Sequence, residues 1–198
     1  MYSLILDSSY KDLVVGIAKD NVVIENINYE CFQRQSELMI VEIENALKRN
    51  NINPKEINEV LVALGPGSYT GVRIALTIAK VYCYALKIPC YAFSSLKVLQ
   101  NYSKPSICLI NARSSRSYVG VYDKNNCLIP DQVMKNEDVI KYIENHRDFA
   151  ICGDTDYLEI EGYKANIPSN MVALKNEDDL VKDIMALKAV YLKDWYGS

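Results

Sequence analysis

The chain opens with short apolar runs that are separated by polar turn residues. Val- and Ile-rich runs cover Ser3–Leu6, Leu13–Ala18 and Val22–Tyr29, and Lys19-Asp20-Asn21 supplies one turn between them. Runs of this length and composition are typical of β-strands. We therefore predict an antiparallel three-strand meander at the start of the chain.

The spacing of apolar residues then changes to that of a helix. Residues Glu37–Arg49 are predicted to form an amphipathic helix, with Ser36 as its N-cap. Glu44 lies four residues before Lys48, which is a favourable spacing for an ion pair on a helix. Asn53-Pro54-Lys55-Glu56 has the pattern of a capping box with proline in the first turn, so we predict one helical turn there.

A buried strand and a second helix complete the first half. Val60–Leu64 is apolar on both faces, as in a sheet covered by helices. The second helix is predicted to begin near Thr70 or Gly71. It should stop at Ile88-Pro89, because proline disfavours a helical conformation in the residue before it.

The same order of elements recurs after residue 103. Predicted strands cover Ile107–Ile110, Tyr118–Tyr122, Leu128–Val133, Phe149–Cys152 and Met171–Leu174, and predicted helices cover Glu137–Glu144, capped by Asn136, and Asp178–Leu192. We therefore predict a duplicated α/β fold with two mixed-sheet subdomains and flanking helices. Their bounds are residues 1–103 and a smaller, abbreviated 104–198, whose last helix packs back on the first subdomain.

Composition and charge narrow the function classes. The 198 residues carry a formal net charge of −3, and lysine and arginine form no stripe, so a solitary nucleic-acid binder is disfavoured. The N-terminus lacks the pattern of a signal peptide, and no apolar run reaches the roughly 18 residues of a membrane span. Six scattered cysteines contain no C-x-x-C pair, which indicates reduced thiols. We expect a cytoplasmic protein without a membrane partner.

The most informative motif is a glycine-containing loop between the buried strand and the second helix. It consists of Gly65, Pro66, Gly67, Ser68, Tyr69, Thr70 and Gly71, with Arg73 in the following turn. Such a loop can place helix N-terminal amides around an anion, or it can be a tight turn that requires glycine for shape. It matches neither a Walker A loop nor a dinucleotide fingerprint.

These residues resemble the signature of the TsaB (YeaZ) family. The loop is followed by Ala79-Lys80, Ile88-Pro89 and Ser94-Ser95-Leu96, and Asp7-Ser8-Ser9, Asn111-Ala112-Arg113 and Tyr191-Leu192-Lys193 resemble the family's Asp-Thr-Ser, Asp-Ala-Arg and Tyr-Leu-Arg. The resemblance implies an actin-like (ASKHA, ribonuclease H-like) fold. It also implies a role, together with a TsaD-like paralogue and a TsaE-like ATPase, in making N6-threonylcarbamoyladenosine at position 37 of tRNAs that read codons beginning with A.

The resemblance further implies a non-catalytic subunit that binds no metal. The TsaD paralogue holds its metal with a His-x-x-x-His pair, whereas this chain contains one histidine, His146, in a polar stretch. A Ser-His-Asp hydrolase would have to use that same residue. We therefore expect no catalytic residues here, ATP and metal on the partner subunits, and tRNA contact only within the complex.

Asp7, Ser8 and Ser9 are the weak candidates for nucleotide binding. In an actin-like ATPase such residues face a phosphate and its magnesium, but aspartate and serine also suit an ordinary Asx turn. An ATPase or phosphotransferase with its own cleft is therefore the alternative function.

The second helix is apolar on almost every side. Either it is fully buried, or one face docks onto another chain. The family resemblance implies docking, to the TsaD-like paralogue or to a second copy, through both long helices. The predicted interface comprises Leu38, Met39, Val41, Ile74, Ile78, Val81, Tyr82 and Ala85.

Overall fold

The first sheet contains five strands. The computed structural model describes residues 1–31 and 34–192. The strands are β1 (Tyr2–Asp7), β2 (Asp12–Lys19), β3 (Val22–Glu30), β4 (Ile57–Ala63) and β5 (Cys90–Phe93), in the order β3-β2-β1-β4-β5. The first three are antiparallel, and β4 and β5 run parallel to β1. The predicted meander and the predicted buried strand are confirmed.

Two long helices pack on this sheet. Helix α1 (Gln35–Arg49) contacts β2, and α2 (Tyr69–Leu86) contacts β4. The buried positions of α1 fall every three or four residues, so one stripe faces the sheet. These positions are Gln35, Met39, Ile43, Ala46 and Leu47. Both predicted helices are confirmed.

The second sheet repeats the topology of the first with one strand fewer. Its strands are β6 (Ser106–Arg113), β7 (Arg116–Asp123), β8 (Asn126–Lys135) and β9 (Ala150–Gly153), in the order β8-β7-β6-β9. An antiparallel meander is again followed by a strand parallel to its first member. Helix α3 (Asn136–Asn145) packs on β7 and β8. The mixed α/β architecture of two sheets with flanking helices is therefore confirmed.

The predicted strand Met171–Leu174 is wrong, because these residues end a helix, α4 (Ile167–Leu174). Asn166 caps it, with Oδ1 accepting a hydrogen bond from the Ser169 N–H at 3.1 Å, and Pro168 lies in the first turn, where no donor is needed. Helix α4 packs against β2 and β3 of the first sheet. Residues of the second half thus contribute to the core of the first.

The predicted helix Asp178–Leu192 is also wrong. A single 3₁₀ turn (Glu177–Asp179) is followed by non-helical chain, which we call the C-terminal strap (residues 180–191). Asp183 Oδ1 accepts hydrogen bonds from the backbone N–H groups of Met185 and Ala186, an arrangement that competes with helix formation.

The strap runs back along the first sheet. Leu180 forms an antiparallel bridge with Tyr91 of β5, and Val181, Ile184 and Leu187 pack against the first sheet's core. Three hydrogen bonds tie it down: Val181 N–H to the Cys90 carbonyl (2.9 Å), Lys80 Nζ to the Met185 carbonyl (3.1 Å), and Val190 N–H to the Leu64 carbonyl (2.8 Å).

The predicted caps divide into correct and incorrect ones. Asn53 and Glu56 form the predicted capping box. Ser36 and Asn136 do not cap their helices: Arg34 and Lys135 occupy the N-cap positions, and neither helix has a side-chain cap. The predicted Glu44–Lys48 ion pair is present at 2.7 Å. Among the described residues, no helix combines the length and apolar character that crossing a bilayer requires.

Candidate functional site

The glycine-containing loop rests on the turn between β1 and β2. The Ser68 N–H donates to the Ser9 carbonyl at 2.5 Å, and Ser8 Oγ donates to the Gly71 carbonyl at 2.7 Å. Ser68 is also the N-cap of α2, with Oγ accepting from the Gly71 N–H at 3.2 Å. Backbone and hydroxyl groups of the two segments therefore satisfy one another.

The glycines of the loop are required by close backbone approach. A Cβ atom on Gly67 would collide with the Ser9 carbonyl, and one on Gly71 with the Ser8 carbonyl. Gly65 has a φ of +101°, and a Cβ there would lie 2.6 Å from the Val190 carbonyl oxygen of the strap. The loop is thus a joint between the first turn, α2 and the strap, which supports the interpretation that its glycines serve shape.

Asp7 lies beneath this joint. Its side chain is buried, and Oδ1 accepts a hydrogen bond from the Ser9 N–H at 2.8 Å, which is the geometry of an Asx turn. Burial raises the pKa of Asp7 to about 6, although the hydrogen bond from the Ser9 N–H lowers it. Asp7 Oδ2 and Ser9 Oγ have no hydrogen-bond partner among the described residues.

A cleft of about 870 Å³ lies beside the joint. Its walls come from the β1–β2 turn, the glycine-containing loop, the ends of β6 and β7, and the strap, and they include Tyr10, Lys11, Gln35, Tyr118, Asp154 and Tyr191. Asn111 and Arg113, which the resemblance singled out, also line it. Asp7, Ser8 and Ser9 do not, so the weak nucleotide candidates are separated from the open space next to them.

A stack of three side chains lies at one wall of the cleft. The rings of Tyr69 and Tyr191 are stacked with their centroids 5.0 Å apart. The Arg73 guanidinium lies 5.1 Å from the Tyr69 ring centroid and donates from Nη1 to the Tyr69 hydroxyl at 2.5 Å. The sequence indicated Tyr69 and Arg73 as loop residues. The role of Tyr191 was missed, because it is 122 residues away along the chain and was expected to lie at the end of a helix.

The predicted interface residues of α2 share one side of the helix. Ile74, Ile78, Val81, Tyr82 and Ala85 are spaced by three or four residues. Val81 (62% exposed) and Ala85 point outward, while the other three are half-buried against the core of the first sheet. Outside this set, the strap bonds to Lys80 and stacks on Tyr69 of α2. Its Val181 and Ile184 line one pocket together with Ala85.

The predicted interface residues of α1 differ in their exposure to solvent. Val41 is 47% exposed and Leu38 is half-buried. Including Met39 was wrong, because its side chain is fully buried in the core under α1. Ile40, which was not predicted, is exposed instead. We call Leu38, Val41, Ile74, Ile78, Val81, Tyr82 and Ala85 the helical stripe.

His146 ends α3 and has a structural environment. Its Nδ1–H donates to the Tyr142 carbonyl at 2.8 Å, and its ring stacks on Tyr142 with centroids 4.0 Å apart. Within residues 1–31 and 34–192, no three His, Cys, Asp or Glu side chains cluster in a way that would hold a metal ion. Lys193, the last residue of the third family-like tripeptide, lies outside the described residues.

Comparison with known proteins agrees with this architecture. A family model described as TsaD, tRNA N6-adenosine threonylcarbamoyltransferase, matches residues 29–176. A tRNA threonylcarbamoyladenosine biosynthesis protein TsaB of Bacillus subtilis is 33% identical over 145 residues, which cover 71% of this chain and 62% of that protein. The chain belongs to the TsaB (YeaZ) family. The motif resemblance is thereby confirmed.

Two further relatives cover nearly the whole chain. YeaZ from Pseudomonas aeruginosa superimposes with a TM-score of 0.80 at 18% identity, over 96% of this chain and 99% of that one. Together with the family model, this match shows that the chain has the actin-like, TsaD-like fold. The uncharacterized protein MG208 of Mycoplasma genitalium is 29% identical over 196 residues, which are 98% of this chain and 95% of that protein. The TsaB-like sequence pattern therefore also occurs in a relative of similar length.

Proposed function

We propose that this TsaB-family chain is a non-catalytic partner subunit for the threonylcarbamoylation of adenosine 37 in tRNA. It would act with a TsaD-like paralogue that performs the chemistry and a TsaE-like ATPase, and ATP and metal would bind to those partners. Relatives named for tRNA threonylcarbamoyladenosine biosynthesis support the pathway. The observation that carries the partner role is the helical stripe.

The helical stripe includes apolar side chains that the fold of this chain leaves exposed, Val41, Val81 and Ala85, beside members that are half-buried. Helices α1 and α2 already bury one face each against the first sheet. The outward side chains of Val41 and Val81 add nothing to that core, and contiguous exposed apolar side chains on neighbouring helices are typical of protein interfaces. A paralogue with the same fold could offer a matching pair of helices, and a second copy of this chain could do the same.

The residue types argue against independent chemistry. One histidine cannot reproduce the His-x-x-x-His pair of the TsaD paralogue. The alternative, a small ATPase, would need Asp7 at the phosphates, but Asp7 is 1% exposed and sealed under the glycine-containing loop. Titration of the chain with magnesium and ATP tests the alternative, because tight binding with turnover would favour it.

Association with the paralogue is tested by one substitution and a matched control. Val81→Asp places a charge in the helical stripe, whereas Val22→Asp makes the same change at an equally exposed position of β3 (64% against 62%). We expect Val81→Asp to abolish co-elution with the TsaD-like paralogue in size-exclusion chromatography with light scattering, while Val22→Asp retains it. Substitutions at Ile78 or Tyr82 are less suitable, since both side chains are half-buried.

If both aspartate variants bind the paralogue like the wild type, the helical stripe is not the interface. If the wild type itself fails to bind, the partner role is wrong.

A further inference from the structure

We infer that the cleft beside the glycine-containing loop binds an unpaired nucleotide of an RNA strand. The base would pack against the Tyr69–Tyr191 pair, and the phosphate would lie at Arg113. The inference rests on the proposed function in so far as tRNA is the natural RNA. It concerns a surface that is distinct from the helical stripe.

The aromatic wall is the first observation. Tyr69 and Tyr191 are stacked, and each keeps about two-fifths of its surface exposed (43% and 42%). Tyr10 and Tyr118 line the same cleft from the β1–β2 turn and from β7. Tyrosine rings exposed in a groove are the surfaces on which single-stranded RNA bases stack, independently of base identity.

The charges of the cleft are the second observation. Lys11 forms ion pairs with Asp156 (2.6 Å) and Asp154 (3.5 Å), and Glu30 adds another acidic group to the wall. The lining is therefore balanced in charge, which is a poor environment for a triphosphate. A nucleotide within a strand carries a single phosphodiester charge, and such a balanced cleft can accept it.

Arg113 is placed to take that phosphodiester, whereas Arg73 is held on the ring and hydroxyl of Tyr69 and does not line the cleft. Arg113 lines the cleft at the end of β6. Guanidinium groups bind phosphate oxygens through paired hydrogen bonds. Base stacking and phosphate binding are thus available within one cleft.

A buried amide adds a polar contact for a base edge. Gln35 lines the cleft but is only 7% exposed, and its Nε2 donates to the Tyr10 carbonyl at 3.3 Å. This bond fixes the orientation of the side-chain amide, so that Gln35 Oε1 is the atom that can accept a hydrogen bond from a base. The exocyclic amines of adenine and cytosine are donors that such an acceptor can recognise.

The test measures binding of a fluorescein-labelled seven-nucleotide single-stranded RNA to the full chain by fluorescence anisotropy. We expect Tyr69→Leu to weaken binding by about ten-fold, because it removes the stacking ring, and Tyr69→Phe to retain binding. The matched control is Tyr84→Leu, since Tyr84 is an exposed tyrosine of α2 that does not line the cleft. Thermal melts of all three variants check that they fold.

The salt dependence gives a second, independent readout. A single phosphate contact predicts that log K falls by about 0.7 per decade of salt, and Arg113→Ala should remove most of that slope. AMP and ATP are titrated as competitors to separate a strand from a free nucleotide. RNA binding that Tyr69→Leu and Arg113→Ala leave unchanged would overturn the inference. So would no binding of RNA at millimolar chain, or ATP binding tighter than RNA binding.

The proposed function and this inference can fail separately. Val81→Asp should no longer bind the paralogue and should bind RNA normally, whereas Tyr69→Leu should bind RNA about ten-fold more weakly and bind the paralogue normally. A Tyr69→Leu variant that binds RNA normally contradicts the cleft site alone, and a Val81→Asp variant that binds the paralogue normally contradicts the helical interface alone.

Discussion

The backbone carbonyl of Ser8 occupies the space in which a Cβ atom on Gly71 would lie. Ser8 also donates from its hydroxyl to the Gly71 carbonyl at 2.7 Å, so the two residues are held together from both sides. Because the obstructing atom belongs to the backbone of the turn after β1, a rotamer change cannot relieve the collision. The geometry of α2 and of the β1–β2 turn is therefore coupled at this pair.

Gly71→Ala is expected to destabilise the fold. Glycine to alanine within a helix normally stabilises by about 1 kcal/mol, but here the added methyl group forces the backbone apart, at a cost of about 1–3 kcal/mol. Chemical denaturation measures the change, with Thr77→Ala on the exposed side of the same helix as the control. A Gly71→Ala variant that is as stable as the wild type would show that the joint is not rigid.

Asp7 predicts a pH dependence of stability. Its pKa is about 6 in the fold against about 3.9 in an unfolded chain, so the folded state binds the extra proton between these values. The contribution is fully present below pH about 4 and is lost as pH rises through about 6, on the order of 3 kcal/mol in total.

Asp7→Asn isolates this contribution. The difference in unfolding free energy between wild type and Asp7→Asn, measured by urea denaturation from pH 4 to pH 7, should shift steadily in favour of the variant as pH rises. Asn retains an oxygen that can accept from the Ser9 N–H, so the Asx turn is kept. A pH-independent difference would mean that Asp7 titrates normally and is not sealed.

The two cap residues predicted in the first half, Asn53 and Ser36, are expected to contribute differently to stability. Asn53→Ala should cost about 1 kcal/mol, because Asn53 Oδ1 accepts from the Lys55 N–H within a complete capping box. Ser36→Ala should change stability by less than about 0.5 kcal/mol, because α1 has no side-chain cap. Thermal or urea denaturation measures both, and equal losses would contradict the observed start of α1.

Much of the fold was accessible from the sequence because local signals and tertiary packing agree there. The Lys19-Asp20-Asn21 turn joins two strands whose apolar runs are too short to predict a helix. Asp20 and Asn21 adopt the positive φ values that such residues tolerate. Ser68 caps α2 directly before an apolar run, which is a usual position for a serine N-cap. The glycine-containing loop was also located correctly.

The errors occur where tertiary contacts, and not the local sequence pattern, determine the conformation of the chain. Residues 181, 184 and 187 have a helix-like spacing, yet their apolar side chains reach the core from a non-helical strap, held by hydrogen bonds to Cys90 and Leu64. Met39 lies next to Ile40 and Val41 in sequence, and only the rotation of α1 on the sheet shows that it faces the core. The cleft joins segments that are more than 100 residues apart, so no local pattern could reveal it.

Reconstitution of threonylcarbamoyl transfer to tRNA with a purified TsaD-like paralogue and TsaE-like ATPase tests whether this chain is a non-catalytic partner. We predict no transfer by this chain alone, transfer when wild type or Val22→Asp completes the mixture, and little or none with Val81→Asp. Transfer by this chain alone would show that it is catalytic, and equal transfer by the paralogue mixture with and without it would show that it is not a required partner.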